Sequence, residues 1–143
     1  MKSALSTGLT HVQSLEMQDR LVVSATAPEE ANAGPVCATA FVAGLMEWAC
    51  IESLRPYLDE GEYTVGSHLY LSHAAPAPVS NKLTAIAELV EMKGATLRFR
   101  VDCFDECDQI GGGFHERTLI APARTMPETD ARAASSPEFQ RFR

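Results

Sequence analysis

The sequence predicts an α+β fold in which an antiparallel β-sheet wraps around one long central helix. Three observations carry that expectation. Residues 38–54 place apolar side chains at helical spacing, four later segments have strand-like content, and the third of these alternates apolar and polar residues one by one. A run of strands behind a single helix, rather than strands and helices in turn, favours segregated layers over a parallel sheet. At 143 residues the chain has the length of one domain with one core. That domain is expected to span residues 1–123, with 124–143 as a flexible C-terminal tail.

Residues 9–25 mix Val, Leu and Thr with polar residues and read as extended, in two strands broken near Gln18-Asp19-Arg20. Pro28, Gly34 and Pro35 mark 27–36 as a connecting loop. In the helix, Phe41, Leu45, Trp48 and Ile51 keep the spacing, Leu54 and Leu58 continue it, and Pro56 ends or kinks it. At 100° per residue Glu47 falls in a stripe with Ala40, Ala43, Gly44, Ile51 and Leu54. That small-residue face suits close packing on a sheet, so Glu47 is expected to point inward.

Strands are expected at 63–73, 82–92, 95–104 and 109–121, with turns at Pro76-Ala77-Pro78, Lys93-Gly94 and Asp105-Glu106-Cys107-Asp108. The third sets Leu97, Phe99, Val101 and Cys103 on one side against Thr96, Arg98, Arg100 and Asp102 on the other. Consecutive strands of this kind imply an antiparallel meander. Pro127, Pro137 and scattered charge give the tail its flexible reading. Strand, loop, one long helix and four strands make the hot-dog arrangement, and sheets of this size commonly pair into homodimers.

A formal charge of -7 with no basic stripe argues against nucleic acid as a partner. Up to Asn81 the basic residues are Lys2, Arg20 and Arg55, and the rest follow, so a polyanionic ligand would meet the second half. The first residues lack the apolar stretch of a secretory leader and no run is long enough to cross a bilayer, which gives a cytoplasmic expectation. Cys37, Cys50, Cys103 and Cys107 follow no disulfide framework and are expected as free thiols. Cys103, Cys107 and His115 lack the second ligand pair of a metal site, and no metal or separate cofactor is expected.

Glu47 is the most informative residue, a carboxylate in a run from Phe41 to Ile51 otherwise without charge. Its helical neighbours Ala43, Gly44, Cys50 and Ile51 cannot pair with it. Thr39 and His73 supply a hydroxyl and an imidazole, and the three together suggest acyl-transfer chemistry. Taken singly, each has a blander reading: Glu47 as a solvated acid, Thr39 as a helix N-cap, His73 as a strand-end histidine bonded to backbone. His73 shares a strand face with Leu69 and Leu71, toward the helix. Thr39 and Glu47 are eight residues apart, roughly 12 Å along a straight helix, so contact needs a bend, a later helix start or a second subunit. Gly111-Gly112-Gly113 marks a strand bulge, or a place where a pantetheine or phosphate approaches the backbone. Lys82, Arg98 and Arg117 are candidate phosphate partners, and Arg98 and Arg100 equally a solvated strand face.

The segment Ala40-Phe41-Val42-Ala43-Gly44-Leu45-Met46-Glu47-Trp48-Ala49-Cys50, followed by Pro56-Tyr57-Leu58, Gly66, Ser72-His73 and His115-Glu116-Arg117, resembles the fluoroacetyl-coenzyme A thioesterase family of hot-dog enzymes. The resemblance covers roughly 35–120. By position it implies Thr39, Glu47 and His73 as catalytic residues, Gly66 as the glycine beside the acyl thioester, and Arg117 as an active-site arginine. Its specialised member carries a lid of aromatic residues ahead of the threonine, and residues 28–38 here contain none. The resemblance therefore implies hydrolysis of a short acyl-coenzyme A thioester with the acyl group left open, coenzyme A being part of the substrate. A thioester's thiolate departs readily because a thiol pKa lies near ~8.5, which leaves the enzyme to deliver water or a nucleophile and to stabilise the oxyanion. Glu47 is expected as nucleophile or general base. A non-catalytic acyl-coenzyme A sensor and an enoyl thioester hydratase are the alternatives on the same fold.

Overall fold

A computed structural model describes residues 1–18, 21, 34–78 and 82–120. Its elements are strand β1 (Thr10–Glu16), helix α1 (Thr39–Leu54) with a closing 3-10 turn (Arg55–Tyr57), and strands β2 (Tyr63–His73), β3 (Lys82–Lys93), β4 (Thr96–Phe104) and β5 (Gln109–Ile120). Of the second strand expected after the break near Gln18-Asp19-Arg20, Leu21 is described and the rest lies outside the described residues, as do 27–33 of the expected loop, 121 of the last expected strand and the 124–143 tail.

All strand pairs are antiparallel, in the order β1-β3-β4-β5-β2. The expected meander holds only for β3, β4 and β5. Strand β2 does not pair with β3, whose other edge is taken by β1, and instead lies at the far edge along β5. Part of the reason is local: a Cβ at Gly111 would collide with the Ser72 carbonyl and one at Gly113 with the Tyr70 carbonyl. The glycine run thus lets the two backbones close together. A register shift falls beside it, between Cys103 and Phe104 of β4.

The turns follow from local chemistry. Gly94 has φ +59°, which a two-residue hairpin loop between β3 and β4 requires. Between β4 and β5, Asp105 Oδ1 accepts from the backbone N–H groups of Cys107 and Asp108, both at 2.8 Å.

Leu83, Ala85, Ala87 and Leu89 of β3 and Leu97, Phe99, Val101 and Cys103 of β4 line the inner face and are wholly buried. From α1 they meet Val42, Leu45, Met46, Ala49, Cys50 and Leu54. Truncating a core side chain such as Phe99 to Ala would cost roughly 3–5 kcal/mol. Of the face expected to pack on the sheet, Leu54 is buried but the small residues are not: Ala40 and Gly44 are exposed, and Ala43 and Glu47 half-buried. The larger apolar side chains remove more area from water, so the helix is rolled to bury them. Glu47 is thereby set at the flank, roughly a third of a turn from the centre of the buried side. Because α1 lies mainly over β1 and β3, the inner face of β5 and β2 is left at the helix margin. That margin holds the polar residues of interest. Among the described residues no helix is long and apolar enough to cross a membrane.

Candidate active site

Strand β5 places every second residue on the inner face, so His115 and Arg117 stand opposite Phe99 and Leu97 of β4 and are both 3% exposed. A buried guanidinium needs partners for its donors. Arg117 Nε donates to Thr64 Oγ1 at 2.9 Å and Nη2 to the Thr64 carbonyl at 2.8 Å. Its Nη1 donates to Glu47 Oε1 at 2.7 Å and to His115 Nε2 at 3.1 Å. Glu47 therefore has a partner after all, from a strand 70 residues away rather than from its own helix. Its side chain is 42% exposed, and its second oxygen takes no hydrogen bond among the described residues. One oxygen is held and the other is open.

His115 turns its Nδ1 to the His68 carbonyl at 2.9 Å. A carbonyl only accepts, so Nδ1 carries the proton; an arginine only donates, so Nε2 presents its lone pair to Arg117. Burial, with Arg117 adding to it, lowers the pKa of this imidazole against opposing contributions from the His68 carbonyl, Glu47 and Glu116. Gly66 supplies the room: a Cβ there would lie 2.9 Å from Glu47 Oε1 and 3.1 Å from His115 Cε1.

Thr39 and His73 form a separate pair, Oγ1 to Nδ1 at 3.0 Å. The position of Thr39 in the helix differs from an N-cap. Ala38 is the N-cap and offers no side-chain acceptor, and Thr39 is the first helical residue with its hydroxyl engaged by His73. His73 ends β2 opposite Gly111, and its Nε2 is buried without a partner among the described residues. A buried ring nitrogen left open is costly unless a ligand or another chain meets it.

Thr39, Glu47 and His73 are thus not one cluster within a single chain. Helix α1 runs unbroken from Thr39, so neither a bend nor a later start closes the separation of roughly 12 Å between Thr39 and Glu47. The imidazole beside Glu47 is His115, not the expected His73. His115 and Thr64 were not singled out as site residues by sequence reasoning. The signal for His115 was its two-residue spacing from Arg117, which puts both on one strand face.

Other candidates fall away from this margin. Arg98 stacks over the Phe114 ring at 4.6 Å and lies 3.9 Å from Glu116, while Arg100 pairs with Glu88 at 2.8 Å, all on the outer face. Cys50 lies near Glu47 and Arg117, but burial pushes its thiol up to about 12, which keeps it protonated and unreactive. Cys103 is likewise pushed up to about 12 by burial in the core. All four cysteines are free thiols, and among the described residues no group of three potential ligands could hold a metal. A cavity of about 230 Å³ adjoins the salt bridge, bounded by Ile51, Leu58, Tyr63, Thr64 and Arg117.

With this geometry in hand, similarity to known proteins is informative. The sequence profile of the family described as FlK, fluoroacetyl-CoA-specific thioesterase, matches residues 20–123. The fluoroacetyl-CoA thioesterase of Streptantibioticus cattleyicolor is 43% identical over 93 residues, covering 65% of this chain and 67% of that protein. A crystal structure of a point mutant of the fluoroacetyl-CoA-specific thioesterase FlK superposes with a TM-score of 0.84 at 33% identity, covering 92% of this chain and 99% of the other. The same enzyme in complex with fluoroacetate and CoA gives 0.78 at 35%, covering 84% and 98%. A Thermus thermophilus member of the thioesterase superfamily gives 0.83 at 24%, covering 94% and 99%, and speaks to the hot-dog fold alone.

Proposed function

The chain belongs to the fluoroacetyl-CoA-specific thioesterase family, and from that premise we propose that it hydrolyses short acyl-CoA thioesters to the free acid and CoA with Glu47 as the reacting group. The observation that carries this reading is the Glu47 carboxylate itself, anchored through one oxygen to a buried arginine and open at the other. In the proposed reaction the thioester carbonyl lies against the open oxygen, which either attacks it, giving an acyl-Glu47 anhydride that water then hydrolyses, or takes a proton from a water that adds to the carbonyl. Arg117 fixes the acid's orientation, and Gly66 keeps the approach clear. The thiolate leaves without a dedicated acid, since its pKa is near ~8.5. The first-turn amides of α1, uncapped by any side chain of Ala38, are suited to the developing oxyanion only when they come from a second copy of the chain, because in one chain the helix start is roughly 12 Å from Glu47.

Thr39 and His73 enter from a second copy of the chain. Two features support a homodimer that shares its sites. The first is the buried Nε2 of His73, unpartnered among the described residues, together with the separation of the Thr39–His73 pair from Glu47 in one chain. The second is edge strand β2, eleven residues long, with Leu69 and Tyr70 exposed at 48% and 73%. The aromatic lid absent from 28–38 supports an open acyl preference rather than strict selectivity for the fluoroacetyl group.

The test is release of free thiol from acetyl-, fluoroacetyl-, butyryl- and hexanoyl-CoA by wild type and Glu47→Ala. The reading expects turnover of at least one short chain by wild type and its loss in the variant. Equal, negligible release by both across the panel would end it, and tight binding without turnover would put a sensor in its place.

A further inference from the structure

We propose that His115 is a positioning residue for this reaction, an acceptor imidazole that orients the Arg117 guanidinium and through it the Glu47 carboxylate. The proposal rests on the reading of Glu47 as the reacting acid. His115 Nε2 is 3.7 Å from Glu47 Oε1, beyond hydrogen-bond reach, so the imidazole does not act on the acid directly. It acts on Arg117. The Nη1 group carries two hydrogens, one toward Glu47 at 2.7 Å and one toward His115 at 3.1 Å. With Nε and Nη2 tied to Thr64, the histidine accepts the remaining Nη1 hydrogen and so holds in place the end of the planar guanidinium that meets Glu47.

The nature of the acceptor matters. An aspartate or glutamate in its place would compete with Glu47 for the guanidinium charge, whereas a neutral imidazole fills the hydrogen-bond site and leaves Glu47 as the anion facing Arg117. The surroundings maintain that neutral form. From β5 itself come Arg117 and, on the opposite face, Glu116; from α1 come Glu47 and the protonated Cys50 thiol; from β2 comes the His68 carbonyl, which accepts the Nδ1 proton; from β4 comes only the Phe99 position opposite in the ladder. Burial disfavours the imidazolium, which would also turn a donor against Arg117. Gly66 leaves space for the ring edge, 3.1 Å from the position its Cβ would take.

The experiment compares His115→Phe and His115→Gln with wild type and Glu47→Gln in thiol release from the best short acyl-CoA. His115→Phe is expected to lower kcat about 10- to 100-fold with KM within about threefold, and His115→Gln, whose carbonyl can accept from Arg117, to recover most of that loss. As pH drops below the ordinary histidine value of about 6.5, wild-type kcat should fall more steeply than that of His115→Gln. Equal losses in Phe and Gln variants, or identical acid limbs in wild type and His115→Gln, would overturn the proposal. Should His115→Phe not fold, the 15N spectrum of the wild-type imidazole decides: a pyrrole-like Nδ1 and a pyridine-like Nε2 support the role, and the opposite tautomer defeats it. A silent Glu47→Gln beside a fully active His115→Phe rejects this proposal alone, while an active Glu47→Gln rejects the underlying reading of the site.

Discussion

Replacing Gly66 by alanine separates the fold from the chemistry. The added Cβ would lie 2.9 Å from Glu47 Oε1, about half an ångström inside ordinary contact at 3.4 Å, and 3.1 Å from the buried His115 ring. The ring is held by the His68 carbonyl and Arg117, whereas the carboxylate is the end of a flexible, half-exposed side chain. Glu47 should therefore yield, and its 2.7 Å bond to Arg117 should stretch or break. A charge-assisted bond contributes roughly 1.5–3 kcal/mol, and the exposure of Glu47 reduces this to about 1 kcal/mol. Against that, alanine narrows the unfolded ensemble and stabilises by about 0.4–1 kcal/mol, with no positive φ at Gly66 to oppose it. The two nearly offset, so the melting temperature should move by less than about 4 °C. Catalysis has no such compensation: misplacing the acid by about 1 Å should cost roughly 100-fold in kcat. Thermal unfolding and thiol release on one preparation give both numbers. A kcat within about threefold of wild type, or a fall in melting temperature beyond about 10 °C, would refute the idea that Gly66 makes room for a movable acid.

Further outcomes follow from the same contacts. Because burial lowers the His115 pKa in the folded state, the unfolded chain takes up the proton first as pH falls. Its contribution to stability should be complete above the unfolded value near ~6.5 and lost as pH falls toward the folded value, with a slope of at most about 1.4 kcal/mol per pH unit; urea titrations at several pH values should show this limb in wild type and not in His115→Gln. Arg117→Met leaves Glu47, Thr64 and His115 without their donor and should destabilise by about 2–4 kcal/mol in urea unfolding, whereas a loss below about 0.5 kcal/mol would mean the network contributes little to the fold. Thr39→Val removes the hydroxyl from His73 and should lower kcat by about 10- to 100-fold with Thr39→Ser restoring it, and equal kinetics for the Val and Ser variants would remove that hydroxyl from the account.

Much of the architecture was legible because it is written locally. The alternation through Leu97, Phe99, Val101 and Cys103 identified both the strand and its buried face, and the Lys93-Gly94 and Asp105–Asp108 turns bounded it through glycine φ and an aspartate acceptor. The bounds of β2 and the end of α1 before Pro56 came from the same kind of signal. Strand order was not legible, since alternation says which way a side chain points and nothing about which strand lies alongside. The roll of α1 was misjudged because a stripe of small residues looks suited to packing, yet the wider apolar stripe through Leu45, Met46 and Ala49 buries more area. At the site, the sequence offered Glu47, Thr39 and His73 but not their pairing. Glu47 meets Arg117 across 70 residues and Thr39 meets His73 across 34, distances at which helical spacing carries no information.

The central claim is that the open oxygen of Glu47 performs the chemistry. Single-turnover thiol release by Glu47→Gln, paired with calorimetric titration of the same acyl-CoA, tests it most directly. The account expects affinity within about threefold of wild type and a rate reduced by about 1,000-fold or more. A variant that turns over substrate within about tenfold of wild type would contradict it.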